Sequence, residues 1–287
     1  MNRTCTRTVC RYSMAVALTV VAACSGPREP RRPEEAAARG DQLLRKLSDT
    51  LNAAPAFSFT VAEWHERLRR NGEKAPYTLT REVVVRRPDR LWSHTTGSDN
   101  RDVTVTYDGT KVTVVGAAQK VFATITAPPT LDEMLDLVSD RYDLRIAVSD
   151  FLYSSPCDSF AGSDATGAWV KRTNVEGKLC DEVAYKMKAV DFTLAISSAE
   201  PALPCAMQIT YKEEPGQPVS RLVFRNWNLG LQTADSLFAA NVPQGCEQIP
   251  IVERIPKTEL KADAAKAMGA PAADAATVVP ARQEPKK

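Results

Sequence analysis

The sequence predicts a mainly β, α+β fold: a strongly curved antiparallel sheet of about ten or eleven strands, a half-barrel, with helices covering its concave face. Three observations carry this. Short segments of alternating apolar and polar residues recur from Phe57 to Trp227. Almost every junction between them is a tight turn, which makes neighbouring strands antiparallel. Helical periodicity is confined to one stretch before the strands and one in their middle, enough to cover one face of the sheet and not both.

The chain opens as an address. Arg3, Arg7 and Arg11 form a positive n-region, and Met14 to Val21 is an apolar run too short to span a bilayer. It ends in Val21-Ala22-Ala23-Cys24, which resembles the bacterial lipobox, so 1–23 reads as a lipoprotein signal peptide and Cys24 as the acylated residue. Ser25 rather than Asp follows; by analogy with enteric bacteria this favours the periplasmic side of the outer membrane, inner-membrane anchoring being the alternative. Acyl chains supply about 0.8 kcal/mol per buried CH₂, so several of them give stable anchoring. Residues 24–37, rich in Pro, Arg and Glu, read as a solvated, disordered tether.

The folded domain is expected over 38–256. Leu44, Leu47 and Leu51 mark a first helix from about 38 to 53, stopped before Pro55. Phe57, Phe59 and Val61 then alternate with smaller residues. Val83 and Val85 precede a turn at Arg87-Pro88-Asp89. Val103, Val105 and Tyr107 lead to a hairpin at Asp108-Gly109, with Val112 and Val114 on the return strand. Lys120 to Thr126 is a further arm, ended by Pro128 and Pro129.

The stretch from Ala127 to Pro156 is the hinge of the chain. Thr130 reads as an N-cap with Glu133 three residues on, a capping box. Leu131, Met134, Leu135 and Val138 make one apolar helix face, and Phe151 and Leu152 add apolar cover. These six residues are expected on the concave side of the sheet, as a lid forming one wall of an apolar cavity. Beyond the lid, Glu176-Gly177 turns Trp169–Val175 into Leu179–Lys188. Phe192–Ile196 and Met207–Tyr211 are further strands, and Pro215-Gly216 turns the latter into Val219–Trp227. All are expected in one meander. Residues 257–287, mostly Ala, Pro and Lys, read as a disordered tail with a frayed helix near Leu260 to Met268.

Composition excludes several classes. Lys+Arg 37 against Asp+Glu 35 is nearly balanced, and loss of the three leader arginines takes the formal charge from +2 to −1. No basic face for nucleic acid is implied. Two histidines, His65 and His94, do not make a histidine-rich metal site. Asp132, Glu133 and Asp136 read as the solvated face of the lid helix. Ser154-Ser155 has no His or Lys partner nearby in sequence, and His65 reads as surface or packing. Trp64, Trp92, Trp169 and Trp227 read as sheet core or cavity lining. No cofactor-binding or catalytic motif is present, so neither cofactor nor catalytic residue nor enzymatic activity is expected.

Arg87-Pro88-Asp89-Arg90-Leu91, Tyr107-Asp108-Gly109, Phe151-Leu152-Tyr153, Ile209-Thr210-Tyr211-Lys212 and Asn226-Trp227-Asn228 resemble, in order over about 41–252, a bacterial family of predicted periplasmic proteins (domain of unknown function 2092). That family looks like the lipoprotein-carrier superfamily of LolA, LolB and RseB. The resemblance implies a half-barrel closed by helices around an apolar cavity. Its expected function is a non-catalytic envelope lipoprotein that binds or carries a lipid, acyl chain or other hydrophobic ligand. The alternative is an RseB-like interaction or sensor module for an envelope protein partner.

Four cysteines follow Cys24: Cys157, Cys180, Cys205 and Cys246. No CxxC spacing supports a metal, and an even count in an exported chain points to two disulfides with three connectivities. Cys180 and Cys205 open strands at one end of the meander, and the resembled family carries cysteines at these places. Cys180–Cys205 with Cys157–Cys246 is favoured over Cys157–Cys180 with Cys205–Cys246.

Overall fold

A computed structural model describes residues 29–142, 148–160 and 166–253 of the chain. The signal peptide, Cys24 and the tail from residue 257 lie outside the described residues. Helix α1 (Pro33–Ala53) begins five residues before the expected start, so the last part of the expected tether is helical. Pro33 at the first helical position and Glu34 and Glu35 in the first turn suit a helix N-terminus. This Pro and Glu content is what makes the segment resemble a tether in sequence. Leu44, Leu47, Ser48 and Leu51 form its buried stripe.

Six strands follow: β1 (Ala56–Leu68), β2 (Lys74–Arg86), β3 (Arg90–Gly97), β4 (Asp102–Tyr107), β5 (Lys111–Gly116) and β6 (Val121–Thr126). The lid segment comes next, with α2 (Leu131–Asp140), a single 3₁₀ turn at Ser149–Phe151, and α3 (Pro156–Phe160). Then come β7 (Thr166–Val175), β8 (Lys178–Lys186), β9 (Val190–Ser197), β10 (Pro204–Tyr211), β11 (Val219–Asn228) and a short β12 (Glu247–Gln248).

These make one unclosed sheet in the order β12-β6-β5-β4-β3-β2-β1-β11-β10-β9-β8-β7. The mainly β, curved antiparallel class is as the sequence implies, but the single meander is not. Two meanders, β1–β6 and β7–β11, are joined by β1 pairing with β11, with His65 opposite Ser220 and Val61 opposite Phe224. Pairing between strands so distant in sequence leaves no local pattern. Among the described residues the one parallel pair is β12 with β6, which joins two residues to the far edge. Bulges in β1, β7 and β10 bend the strands locally. Because β6 and β7 lie toward opposite ends of the sheet, the lid between them must cross the concave face.

That face carries the core. Phe57, Phe59 and Val61 of β1 pack with Leu44, Leu47 and Leu51 of α1, with Leu131, Met134, Leu135 and Val138 of α2, and with Phe151 and Leu152. The Phe59 ring stacks on Trp227 at 4.4 Å between centroids, and Phe151 meets Phe224 edge-on at 5.0 Å. Trp64 and Trp92 alternate with inward-facing residues and are half-buried on the other face. Trp169 is buried where α1 crosses β7. Gly40 permits that crossing, since a Cβ there would come within 3.1–3.2 Å of the Ala168–Trp169 backbone. Asp181 of β8 fastens it, accepting hydrogen bonds from Arg39 (2.6 Å), Trp169 Nε1 (2.7 Å) and Ser198 Oγ (2.7 Å).

Cys180 and Cys205 form a disulfide across β9, packed with Ala195 in a small cluster apart from the main core. The expected Cys157–Cys246 bond is absent, and both are free thiols. Cys157 sits on α3, whose backbone N–H donates to Ser48 of α1, whereas Cys246 immediately precedes β12 at the β6 edge. The two positions belong to opposite ends of the sheet.

Candidate functional site

The lid is held at both ends by one turn. Pro88, between β2 and β3, accepts the backbone N–H of Leu131 at 2.7 Å, where α2 begins. Arg87 beside it donates to the carbonyl oxygens of Leu152 (3.0 Å) and Tyr153 (2.8 Å), where the lid turns into α3. The buried Tyr107 hydroxyl donates to the Pro128 carbonyl, and burial pushes its pKa up to about 12. Thr130 caps α2 as expected: its Oγ1 accepts the Glu133 N–H at 3.3 Å and donates to the Glu133 carboxylate at 2.7 Å.

Between lid and sheet lies a half-open cleft of about 930 Å³. Leu135 and Val138 of α2 face Ile209 of β10 and Leu222 of β11 across it. The other four lid residues expected at a cavity wall, Leu131, Met134, Phe151 and Leu152, share the buried core with Leu135 and Val138 but do not line the cleft. Most of the concave face is therefore filled, with residues of α1, α2, β1 and β11 in one buried cluster. The opening is confined to the part of the sheet where that row gives way to polar side chains.

Those side chains form a chain of hydrogen bonds that sequence reasoning did not assemble. Glu63 and His65 continue the inward row of Phe57, Phe59 and Val61. Glu63 is 2% exposed; its Oε1 accepts from Arg81 Nε at 2.7 Å, and its Oε2 lies 2.7 Å from His65 Nε2. Arg81 continues to Thr95 Oγ1 at 2.7 Å. The other ring nitrogen of His65, Nδ1, is 2.7 Å from Ser220 Oγ, and the ring stacks on Tyr77 at 5.0 Å. Burial alone would raise the Glu63 pKa, but the His65 and Arg81 bonds and charges outweigh it and hold it below the ordinary carboxylate range. The signal was a carboxylate and an imidazole on the inward period of a strand, where apolar residues are the rule. Glu63, His65, Tyr211 and Ser220 also line a second, more polar pocket of about 290 Å³, so the two openings meet at His65.

The mouth of the cleft is acidic. Asp132 accepts from the backbone N–H of Ser154 at 3.0 Å and from its hydroxyl, and Asp136 accepts from the Tyr153 hydroxyl at 2.8 Å. Burial and Asp136 raise the Tyr153 pKa. Asp132 and Asp136 thus knit α2 to the end of the lid from its solvated face, where Glu133 and Asp136 are exposed and Asp132 partly so. Ser154 and Ser155 line the cleft without a basic partner. Ser220 does have one, yet it lies mid-strand between His65 and Ile209, so its own amide serves the ladder. Among the described residues no cluster of three His, Cys, Asp or Glu side chains could hold a metal ion.

A family model described as predicted periplasmic protein (DUF2092) matches residues 40–252. No curated protein matches the sequence. Among solved structures, an uncharacterized conserved protein from Thermus thermophilus is similar at 8% identity and TM-score 0.45, covering 74% of this chain and 99% of its own. The Mycobacterium tuberculosis lipoprotein LppX is similar at 13% identity and TM-score 0.43, covering 68% and 98%. A LolA superfamily protein from Nitrosomonas europaea is similar at 12% identity and TM-score 0.35, covering 70% and 97%.

Proposed function

The chain belongs to the DUF2092 family of predicted periplasmic proteins, and from that premise we propose that it is a non-catalytic envelope lipoprotein that binds the apolar chain of a small amphiphile between lid and sheet. A lipid on Cys24 tethers it at the periplasmic side of the outer membrane. The observation that supports the binding role is the cleft itself. At about 930 Å³ it falls within the usual range for small-molecule sites, and it opens where the rest of the concave face is packed shut. Leu135, Val138, Ile209 and Leu222 give it apolar walls. The interaction-module alternative calls for a contiguous exposed apolar patch. Among the described residues, the large apolar side chains that are exposed, Leu68, Val170, Leu179, Ile249 and Val252, are dispersed over β1, β7, β8 and the segment after β12.

The test is binding of a fluorescent apolar probe to protein purified without detergent, beside mass spectrometry of its organic extract. Saturable binding is expected, lost in Leu135→Asp while the melting transition persists. A wild type that neither takes up the probe nor yields a lipid would remove this reading. The anchor is tested separately: Cys24→Ser should move the protein from the membrane to the soluble fraction.

A further inference from the structure

We propose that the polar end of the cleft's ligand is an uncharged, hydroxyl-bearing head, a glycerol or a single sugar ring, seated in the smaller polar pocket beside the cleft; this rests on the binding role given above. Position comes first. Ile209, Ser220, His65 and Tyr77 stand opposite one another on β10, β11, β1 and β2, one cross-strand row of the concave face. The cleft covers the Ile209 end of this row and the smaller pocket its Tyr77 end, and His65 and Ser220 border both. At about 4.8 Å between strands, the row is about 14 Å long. A chain lying against Leu222 and Ile209 therefore carries its head past His65 toward Tyr77. The pocket's volume of about 290 Å³ suits a compact head.

The charges that line this pocket are matched within the protein. Glu63 pairs with Arg81, Glu66 with Lys74 at 2.9 Å, and Arg101 with Asp99 at 3.0 Å. Both ring nitrogens of His65 are engaged, by Glu63 and by Ser220, in either tautomer and whether or not the ring is protonated. Glu214 is the exception, and it is exposed between β10 and β11. The carboxylates of the cleft mouth, Asp132, Asp136 and Asp158, do not line this pocket. An anionic or cationic head would leave water for a site whose charges are taken, and burying a charge without a counter-charge is costly. A hydroxyl head gives up far less hydration.

What the pocket offers a ligand is hydroxyls. Tyr77 and Tyr211 line it, and among the described residues neither phenol is hydrogen-bonded to another group. Burial raises the Tyr77 pKa, so its hydroxyl keeps its hydrogen at neutral pH. A phenol both donates and accepts, which matches a head whose own hydroxyls do the same. The Tyr77 ring is held in place: it stacks on His65 at 5.0 Å, and the guanidiniums of Arg67 and Arg101 lie 5.6 and 5.8 Å from its centroid. Its hydroxyl is thus positioned in advance, which lowers the ordering cost of binding.

The test compares monododecanoylglycerol, dodecyl glucoside, dodecanoate and dodecylammonium, each below its micellar concentration, by calorimetric titration of the exported chain at neutral pH. The two uncharged heads are expected to bind about tenfold or more tighter than either ion. Tyr77→Phe and Tyr211→Phe should each loosen the glycerol and glucoside ligands severalfold and leave dodecanoate unchanged, because the ring stays and the hydroxyl goes. Dodecanoate or dodecylammonium binding as tightly as the uncharged heads overturns the inference and leaves the cleft reading intact. So does a double variant, Tyr77→Phe with Tyr211→Phe, that binds the glycerol and glucoside ligands like the wild type. Failure of all four ligands to bind also overturns the inference, and the cleft reading falls with it only when the fluorescent apolar probe fails as well.

Discussion

Arg87 Nη2 donates to the Tyr153 carbonyl oxygen at 2.8 Å, tying the β2–β3 turn to the far end of the lid. Its Nη1 takes the neighbouring Leu152 carbonyl, and Pro88 takes the Leu131 amide at the near end. One turn thus fixes both ends of a segment that crosses the sheet. The guanidinium also lies over the Phe57 ring, and burial pulls its pKa down. Hydrogen bonds from a charged donor are worth about 1.5–3 kcal/mol each, so Arg87→Ala should lower stability by about 2–4 kcal/mol. Arg87→Lys should recover only part of it, because an ammonium cannot fork to two carbonyls. Denaturant midpoints measure both. Hydrogen exchange should show the loss beginning in α2 and α3; a variant within about 0.5 kcal/mol of wild type would mean the lid holds without this tie.

Glu63 should govern part of the acid limb of stability. Its folded pKa is depressed, so its contribution is present above the ordinary carboxylate value of 4.5 and is lost as pH falls through the lower folded value. The urea midpoint should therefore be level above about pH 5 and decline below it. Asp181, also held low despite burial by Ser198, Trp169, Arg39 and Arg172, adds to the same limb. Glu63→Gln should make the decline shallower. It should also lower the plateau by about 3–5 kcal/mol, because Arg81 is left buried without its partner. An unchanged acid slope in that variant would show that Glu63 is not held low.

Peptide mapping of the oxidised protein should find Cys180 linked to Cys205 and free thiols at Cys157 and Cys246. Burial raises the Cys157 pKa, so Cys246 should alkylate first. The bond closes a sequence separation of 25 residues, and replacing both cysteines by alanine should cost about 3–4 kcal/mol. A peptide joining Cys157 to Cys246 would contradict the placement of β12.

What the sequence made legible was local. Asp108-Gly109, Glu176-Gly177 and Pro215-Gly216 each mark a turn, and the spacing of Leu131, Met134, Leu135 and Val138 marks the buried face of α2. What escaped was long-range. The pairing of His65 with Ser220 unites residues 155 apart, and neither strand's pattern names its partner. For the same reason Ser220 could not be seen beside a histidine. Glu63 and His65 occupy the inward period begun by Phe57, a signal the reading of His65 as surface or packing did not use, and a polar residue there tells only that a partner exists. The lid residues illustrate a different limit. Periodicity showed which side of α2 is buried, and it could not show that Leu135 borders a cleft while Met134 does not.

That difference supplies the last prediction. Met134 is fully buried in the main core, and Leu135 is 2% exposed yet borders the cleft. Truncating a buried side chain removes its transfer free energy and adds a penalty for the new cavity, about 2–5 kcal/mol together. Met134→Ala should incur both terms and fall in the upper half of that range. Leu135→Ala enlarges a space that is already open to solvent on one side, so the cavity term shrinks and the loss should be about 1–2 kcal/mol. Binding should respond in the opposite order, with Leu135→Ala weakening the apolar probe severalfold and Met134→Ala leaving it nearly intact in whatever fraction stays folded. Chemical denaturation beside probe titration reads both. If the two variants lose equal stability and neither alters probe uptake, Leu135 is ordinary core, and the lid closes the half-barrel without holding a ligand.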